Sequence, residues 1–212
     1  SIMRSSFRLL SWLCHIKVTV QGLENINPEQ GPFVFVCNHA SYLDSMMLIL
    51  TIPMEFNFVA KAELNHQFIA GTLLRKLQTE FVERFDSQQS ISDAKKITAV
   101  VAKDKSILFF PEGTFTREPG LLPFRMGAFS AAVMNARPII PITIRGTRSI
   151  LRAHTWLPRR GAVIVNIAKV MIPEPIAQTV NQHDSWNAAI KLADAARQQI
   201  LMNNGEPDCS DV

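Results

Sequence analysis

Three cysteines among 212 residues, at positions 14, 37 and 209, are too few and too far apart for a disulfide framework or a thiolate metal site. They read as reduced thiols. The five histidines are equally scattered, so no zinc-ligand spacing forms. No window of about 18 consecutive apolar residues occurs, and none reads as a membrane-spanning helix. The opening stretch SIMRSSFRLLSWLCHI carries Arg4 and Arg8 inside its apolar pattern and lacks a small-residue cleavage site, which argues against a signal peptide. The start at Ser-Ile-Met leaves room for a preceding segment. No G-x-S-x-G, P-loop or G-x-G-x-x-G is present. Acid is missing altogether between Glu118 and Glu174, a span that holds Arg125, Arg137, Arg145, Arg148, Arg152, Arg159, Arg160 and Lys169. A one-sided positive field attracts phosphate on a nucleic acid, an anionic membrane or a small substrate, and equally serves as a solvated face. Trp156 is the one aromatic residue among the later arginines, too little for base stacking, so no nucleic-acid partner is expected.

What is present reads as one greasy globular domain, 47% apolar and 19% charged. Met3, Phe7, Leu10 and Cys14 recur at near-helical period with basic residues between them, so residues 1–16 form an amphipathic helix and a candidate membrane-interface element. Residues 17–212 form the main domain. KVTVQG alternates like a strand, and FVFVC is a continuous apolar run, hence a central strand covered on both faces. SYLDSMMLILTI reads as a helix stopped before Pro53. FNFVA, TEFVER, SILFF, PIIPITIRG and GAVIVNIAKVMI are further strands. ELNHQFIAGTLLRKL, SISDAKKITAVVAKDK, RMGAFSAAVMNA and DSWNAAIKLADAARQQILMN are further helices, the last with Asp184 as its expected cap. Strand alternates with helix almost throughout. The fold class is α/β, a single domain with a largely parallel or mixed central sheet and helices on both faces.

The stretch FVFVCNHASYLD places polar groups where the core pattern breaks. In such sheets chemistry collects at the carboxyl ends of strands, and His39 follows the buried run directly. Continuous helix would set His39 and Asp44 about 140° apart. With His39 in the turn, the Asp44 carboxylate can fold back to the imidazole. Ser41-x-x-Asp44 is also a capping-box pattern, and the two readings are compatible because a carboxylate has two oxygens and several acceptor sites. The helix N-terminus favours the carboxylate form. A carboxylate on one ring nitrogen leaves the other free to take a proton. That is most of a Ser-His-Asp arrangement without its serine: Ser41 and Ser45 do not occupy a strained elbow. Cys37, inside an apolar run, could form an acyl-cysteine but is more simply a packing residue. The nucleophile then belongs to the substrate, an alcohol attacking an activated acyl group.

SILFFPEGTFTREPG repeats the design of buried strand and sharp polar turn, with Gly113-Thr114 able to offer backbone N–H groups to an anion. Taken in order, Asn38-His39 with Asp44, KAEL at 61–64 with FVER at 81–84, FPEGT at 110–114, and IIPITI at 139–144 resemble the four blocks of the glycerophospholipid acyltransferase family. Its best-known members are the 1-acyl-glycerol-3-phosphate (lysophosphatidic acid) acyltransferases. The match covers most of the chain, from about residue 18 to 172.

The resemblance implies a glycerolipid acyltransferase-like fold over residues 17–212 and transfer of a fatty acyl group from acyl-CoA or acyl carrier protein to lysophosphatidic acid, giving phosphatidic acid in phospholipid biosynthesis. It implies His39 as general base and Asp44 as its orienting partner. Asn38, Lys61, Arg84, Glu112, Gly113, Thr114, Arg117 and Pro141 are the implied substrate-binding residues, with Lys61 and Arg84 on the acceptor phosphate and Pro141 lining the acyl-donor region. No metal and no cofactor beyond the donor thioester is expected. One departure stands out: the family's third block commonly continues with arginine, where this chain has Phe115 and puts Arg117 two positions later. Arg117 could reach the same phosphate, or the acceptor could be another lysophospholipid such as lysophosphatidylethanolamine. A lipid or thioester hydrolase and a non-catalytic membrane-binding domain are the alternatives from other classes. RSILRAHTWLPRR, like the N-terminal helix, mixes basic and apolar residues as an interfacial segment would, and peripheral association with the cytoplasmic side of an anionic membrane is expected.

Overall fold

The computed structural model describes residues 2–63, 79–82, 90–152, 155, 157–174 and 182–210. Helix α1 (Ile2–Leu13) leads into strand β1 (Ile16–Gln21), followed by β2 (Val34–Cys37), α2 (Leu43–Thr51), β3 (Phe56–Lys61) and β4 (Glu80–Val82). Then come α3 (Ser90–Ala102), β5 (Ser106–Phe109), α4 (Gly127–Met134), β6 (Ile139–Arg145), α5 (Thr147–Ile150), β7 (Gly161–Ile167) and α6 (Gln182–Asn204). The seven strands form one sheet in the order β1-β7-β6-β2-β5-β3-β4. Every neighbouring pair is parallel except β6 with β7. The sheet is therefore mixed, as expected from the alternation of elements.

All four residues of β2 are buried, because helices cover the sheet on both sides. Phe35 and Cys37 point to the face packed by Met47, Leu48 and Ile52 of α2 and its end. Val34 and Val36 point to the other face, against Phe129 of α4 and Ala189, Ala193 and Ala196 of α6. Small residues on α6 let that long helix approach the sheet closely. Each fully buried large side chain contributes about 1.5–3 kcal/mol, so the central strands anchor whatever leaves their ends.

Helix α1 docks on the α2 side through Phe7 and Cys14. Arg4 Nη2 donates to the carbonyls of Ile52, 2.7 Å away, and Met54, 2.8 Å away, just past the C-terminal end of α2. That is favourable ground for a cation, since the last carbonyls of a helix lack intrahelical donors. Leu9, Leu10, Trp12 and Leu13 are left exposed, Trp12 at 73%. One stripe of this helix packs on the protein and another faces solvent. No helix among the described residues is long and apolar enough to cross a membrane.

One expectation needs correction. Asp184 lies within the first turn of α6, which begins at Gln182, so it complements the helix dipole rather than capping the end. The stretch after β6 contains a single helical turn, α5, too short for any periodicity to announce. Gly146 opens it at φ 97°, where a Cβ would meet the carbonyl oxygen of Ala162 at 2.1 Å. The helix expected over ELNHQFIAGTLLRKL falls mostly outside the described residues.

Candidate active site

Strands β2 and β5 are parallel neighbours in register Val36 to Phe109, so the turns that follow them emerge side by side at one sheet edge. One turn carries Asn38 and His39, the other Phe110 and Glu112. Asn38 is committed to the scaffold. Its Nδ2 donates to the Ile144 carbonyl at 2.9 Å, and its Oδ1 accepts the Ile144 N–H at 2.8 Å. The side chain thus acts as one more rung between β2 and β6, and it is buried rather than presented to a ligand.

The His39 ring stacks on Phe110, with centroids 4.1 Å apart and planes 16° apart, and meets the edge of Phe115 at 4.5 Å. Its Nδ1 lies 2.8 Å from Asp44 Oδ2, and 17% of the side chain is exposed. The same Asp44 oxygen accepts the N–H groups of Ala40 at 2.7 Å and Ser41 at 2.8 Å. An oxygen that accepts from two backbone donors also accepts from the ring, so Nδ1 carries the proton and Nε2 keeps a free lone pair. Asp44 is fully buried, and its other oxygen has no hydrogen-bond partner among the described residues.

The capping reading is present in the same atoms, with a shift in register. Helix α2 begins at Leu43 with Tyr42 at the N-cap, so Ser41 stands one residue before the position expected for it. Ser41 Oγ accepts the Leu43 N–H at 3.2 Å and donates to the Leu151 carbonyl at 2.7 Å. It is occupied and buried, which removes it as a nucleophile. Cys37 points into the core, and burial, reinforced by the nearby Asp44 and Glu112 carboxylates, pushes its thiol well above the ordinary range. It is a packing residue.

Glu112 differs most from expectation. Rather than facing a ligand, it is 4% exposed. Its Oε1 accepts the His39 N–H at 2.6 Å and its Oε2 the Leu122 N–H at 2.8 Å. Burial raises its carboxyl to about 7 against these two bonds, which lower it. The group is a clamp between the histidine turn and the loop after β5. Glu112→Gln is expected to cost about 1–3 kcal/mol of unfolding free energy, because the carboxamide NH2 must face one of the two N–H donors. A second signature follows from linkage. The native carboxyl holds its proton above the ordinary value of 4.5, so its contribution to stability falls as pH rises from 4.5 to about 7 and is level beyond. Denaturant melts across that range should lose this slope in Glu112→Gln.

Gly113 has φ 70°, and its N–H donates to the Phe110 carbonyl at 2.9 Å, so that N–H is not offered to an anion as expected. A Cβ there would sit 2.5 Å from Nε of Arg125, whose guanidinium crosses directly over the glycine. Thr114 and Arg117 are exposed on the same loop, and Phe115 is half-buried against His39 and Tyr42. Arg125 was visible in sequence only as part of a basic span. Nothing local marks it as a neighbour of Gly113. Pro141 is buried on β6 beside Val36. The backbone of Lys61 ends β3, and Arg84 lies outside the described residues. Among the described residues no three His, Cys, Asp or Glu side chains gather to hold a metal ion.

A carboxylate-bonded imidazole thus stands at the carboxyl edge of a mixed sheet, walled by Phe110 and Phe115, an arrangement able to take up and return a proton. The chain belongs to the acyltransferase family: the family model described as Acyltransferase matches residues 17–145. It is 33% identical over 184 residues to the 1-acyl-sn-glycerol-3-phosphate acyltransferase BAT2, chloroplastic, of Brassica napus, covering 87% of this chain and 50% of that protein. It is 30% identical over 178 residues to the 1-acyl-sn-glycerol-3-phosphate acyltransferase of Saccharomyces cerevisiae, covering 82% and 58%. With the human 1-acyl-sn-glycerol-3-phosphate acyltransferase alpha it shares 32% over 144 residues, covering 68% and 50%. The chain spans about half the length of these curated relatives. The crystal structure of the 1-acyl-sn-glycerophosphate (LPA) acyltransferase PlsC from Thermotoga maritima superimposes with a TM-score of 0.68 at 20% identity, over 93% of this chain and 78% of that one, which shows a shared fold.

Proposed function

We propose that this chain transfers a fatty acyl group from the thioester of acyl-CoA or acyl carrier protein to the free hydroxyl of 1-acyl-glycerol-3-phosphate, giving phosphatidic acid. The observation that carries the reading is the 2.8 Å bond between His39 Nδ1 and Asp44 Oδ2, which frees Nε2 as a base. The acceptor hydroxyl gives its proton to Nε2 as its oxygen attacks the thioester carbonyl. The tetrahedral intermediate then collapses, the C–S bond breaks, and the imidazolium returns the proton to the leaving thiolate. Asp44 stabilises the transient imidazolium. No acyl-enzyme forms, in keeping with the occupied Ser41 and the sequestered Cys37. Arg117 and Arg125, with Lys61 and Arg84 as the family resemblance implies, supply cations for the acceptor phosphate. The apolar stripe of Leu9, Leu10, Trp12 and Leu13 beside Arg8 fits peripheral seating on an anionic leaflet.

A thioester-release assay over a panel of lysophospholipids, read by lipid mass, tests the proposal. Acceptor-dependent release with the acylated lipid as product is the expected result. Thiol release indifferent to acceptor points to a hydrolase, and vesicle binding without release to a binding domain. Phe115 favours a second acceptor reading, because it presents an aromatic wall where the family usually has a cation. If the head group is read there, Phe115→Arg should raise kcat/KM for lysophosphatidic acid relative to lysophosphatidylethanolamine by about tenfold, the worth of one charge-assisted hydrogen bond. Competition between the two acceptors in one reaction measures the ratio.

A further inference from the structure

The loop that brings Phe115 over His39 is held from the far end of the chain. Arg148 Nε donates to Glu206 Oε1 at 2.7 Å and its Nη2 to Glu206 Oε2 at 2.9 Å, a bidentate pair with side chains only 13% and 20% exposed. Glu206 Oε2 also accepts the Gly120 N–H at 2.9 Å, and Arg148 Nη1 donates to the Thr116 carbonyl. Two residues of the loop are thereby tied to one ion pair.

The segment after α6 continues the attachment. The Leu121 N–H donates to the Pro207 carbonyl at 2.9 Å, and the Cys209 N–H donates to the Leu121 carbonyl at 3.0 Å. Gly120 permits this approach: at φ 150°, a Cβ there would lie 2.3 Å from Cys209 Sγ. Arg197 of α6 donates to the carbonyls of Leu121, at 2.9 Å, and Leu122, at 2.6 Å, and pairs with Asp208. The next backbone group along, the Leu122 N–H, is the one Glu112 holds with Oε2 while Oε1 holds the His39 N–H. An unbroken run of bonds therefore joins residues 206–209 to the backbone of the histidine.

We propose that Arg148 and Glu206 are positioning residues, which fix the loop 113–122 over His39 through the strap formed by residues 205–209. The proposal rests on the acyl-transfer reading for its kinetic consequence, though not for the strap itself. Both residues lie beyond the span, 17–145, matched by the family model, so the four sequence blocks do not contain them. It also reassigns Arg148, which sequence reasoning left in the phosphate-attracting span: its guanidinium is engaged inside the protein.

The bond geometry supplies the test. Glu206→Gln keeps the shape but sets its NH2 against an Arg148 donor, so the pair is lost with little change in volume. Peptides covering residues 113–122 should exchange amide hydrogen at least about tenfold faster, with helices α3 and α4 unchanged. The kcat/KM for the lysophospholipid acceptor should fall by about tenfold to about a hundredfold, the cost of loosening a positioned group. The KM for the thioester donor should stay within about twofold. Arg148→Gln together with Glu206→Gln, a neutral amide pair, serves if the single variant folds poorly, and should partly restore protection of the loop. Unchanged exchange overturns the strap. Faster exchange with unaltered acceptor kinetics, or with both substrates' KM values and global stability shifting together, overturns the positioning role. Absence of acyl transfer in the parent protein counts instead against the proposed reaction, and the exchange result still reads the strap.

Discussion

Alanine at His39 is expected to lower kcat/KM for acyl transfer by about 10²–10⁴-fold, the usual contribution of a positioned general base. The fold should survive. His39 is at the sheet edge and partly exposed, and what it loses is the stack on Phe110 and the edge contact with Phe115, each worth about 0.5–1.5 kcal/mol. Asp44 keeps the N–H groups of Ala40 and Ser41, so its buried carboxylate is not stranded. Steady-state acyl transfer measured beside a far-ultraviolet melt checks both halves. Near-normal turnover in a folded variant removes the base assignment, and a collapsed melt shows that the residue mainly holds the turn.

Asparagine at Asp44 is the sharper experiment, since it keeps volume and removes the negative charge. Its carbonyl oxygen can take the place of Oδ2 and still accept from Ala40, Ser41 and the ring, while the NH2 replaces the unpartnered Oδ1. The tautomer is kept and the negative charge is lost, so the imidazolium formed on proton uptake is no longer stabilised. Turnover is expected to fall by about 10²–10⁴-fold. Helix caps tolerate asparagine well, so a purely structural Asp44 predicts almost no change in activity or melting. The two readings, which share one oxygen in the structure, therefore separate cleanly in kinetics. Activity within about threefold of the parent would favour the cap.

Much of this arrangement could be read before any coordinates, and the reason is locality. FVFVC and SILFF are apolar runs that can only be central strands, and each is followed at once by polar residues, so two turns at a sheet edge follow from pattern alone. His39 and Asp44 are five residues apart, close enough for spacing to imply contact. Glu112 was placed in its loop, without the two backbone bonds that hold it there. A glutamate after a strand looks like any turn residue, and its partners, His39 and Leu122, lie 73 and 10 positions away. Arg148 and Glu206 are separated by 58 residues, and nothing in either local sequence names the other. The guanidinium over Gly113 escaped for the same reason, whereas α5 is too short for periodicity to show. Periodicity reports which face is buried, and it is silent on what meets across the fold.

Arg4 fastens the first helix to the far end of α2, whose opening turn holds Asp44. The nine residues of α2 then act as a spacer of about 14 Å, at 1.5 Å per residue, between that attachment and the imidazole. Trp12 and Leu13 close the first helix just before β1, which pairs with β7 from Ile16 to Gly161. Because β7 runs antiparallel to β6, these exposed apolar residues stand towards the sheet edge from which His39 emerges.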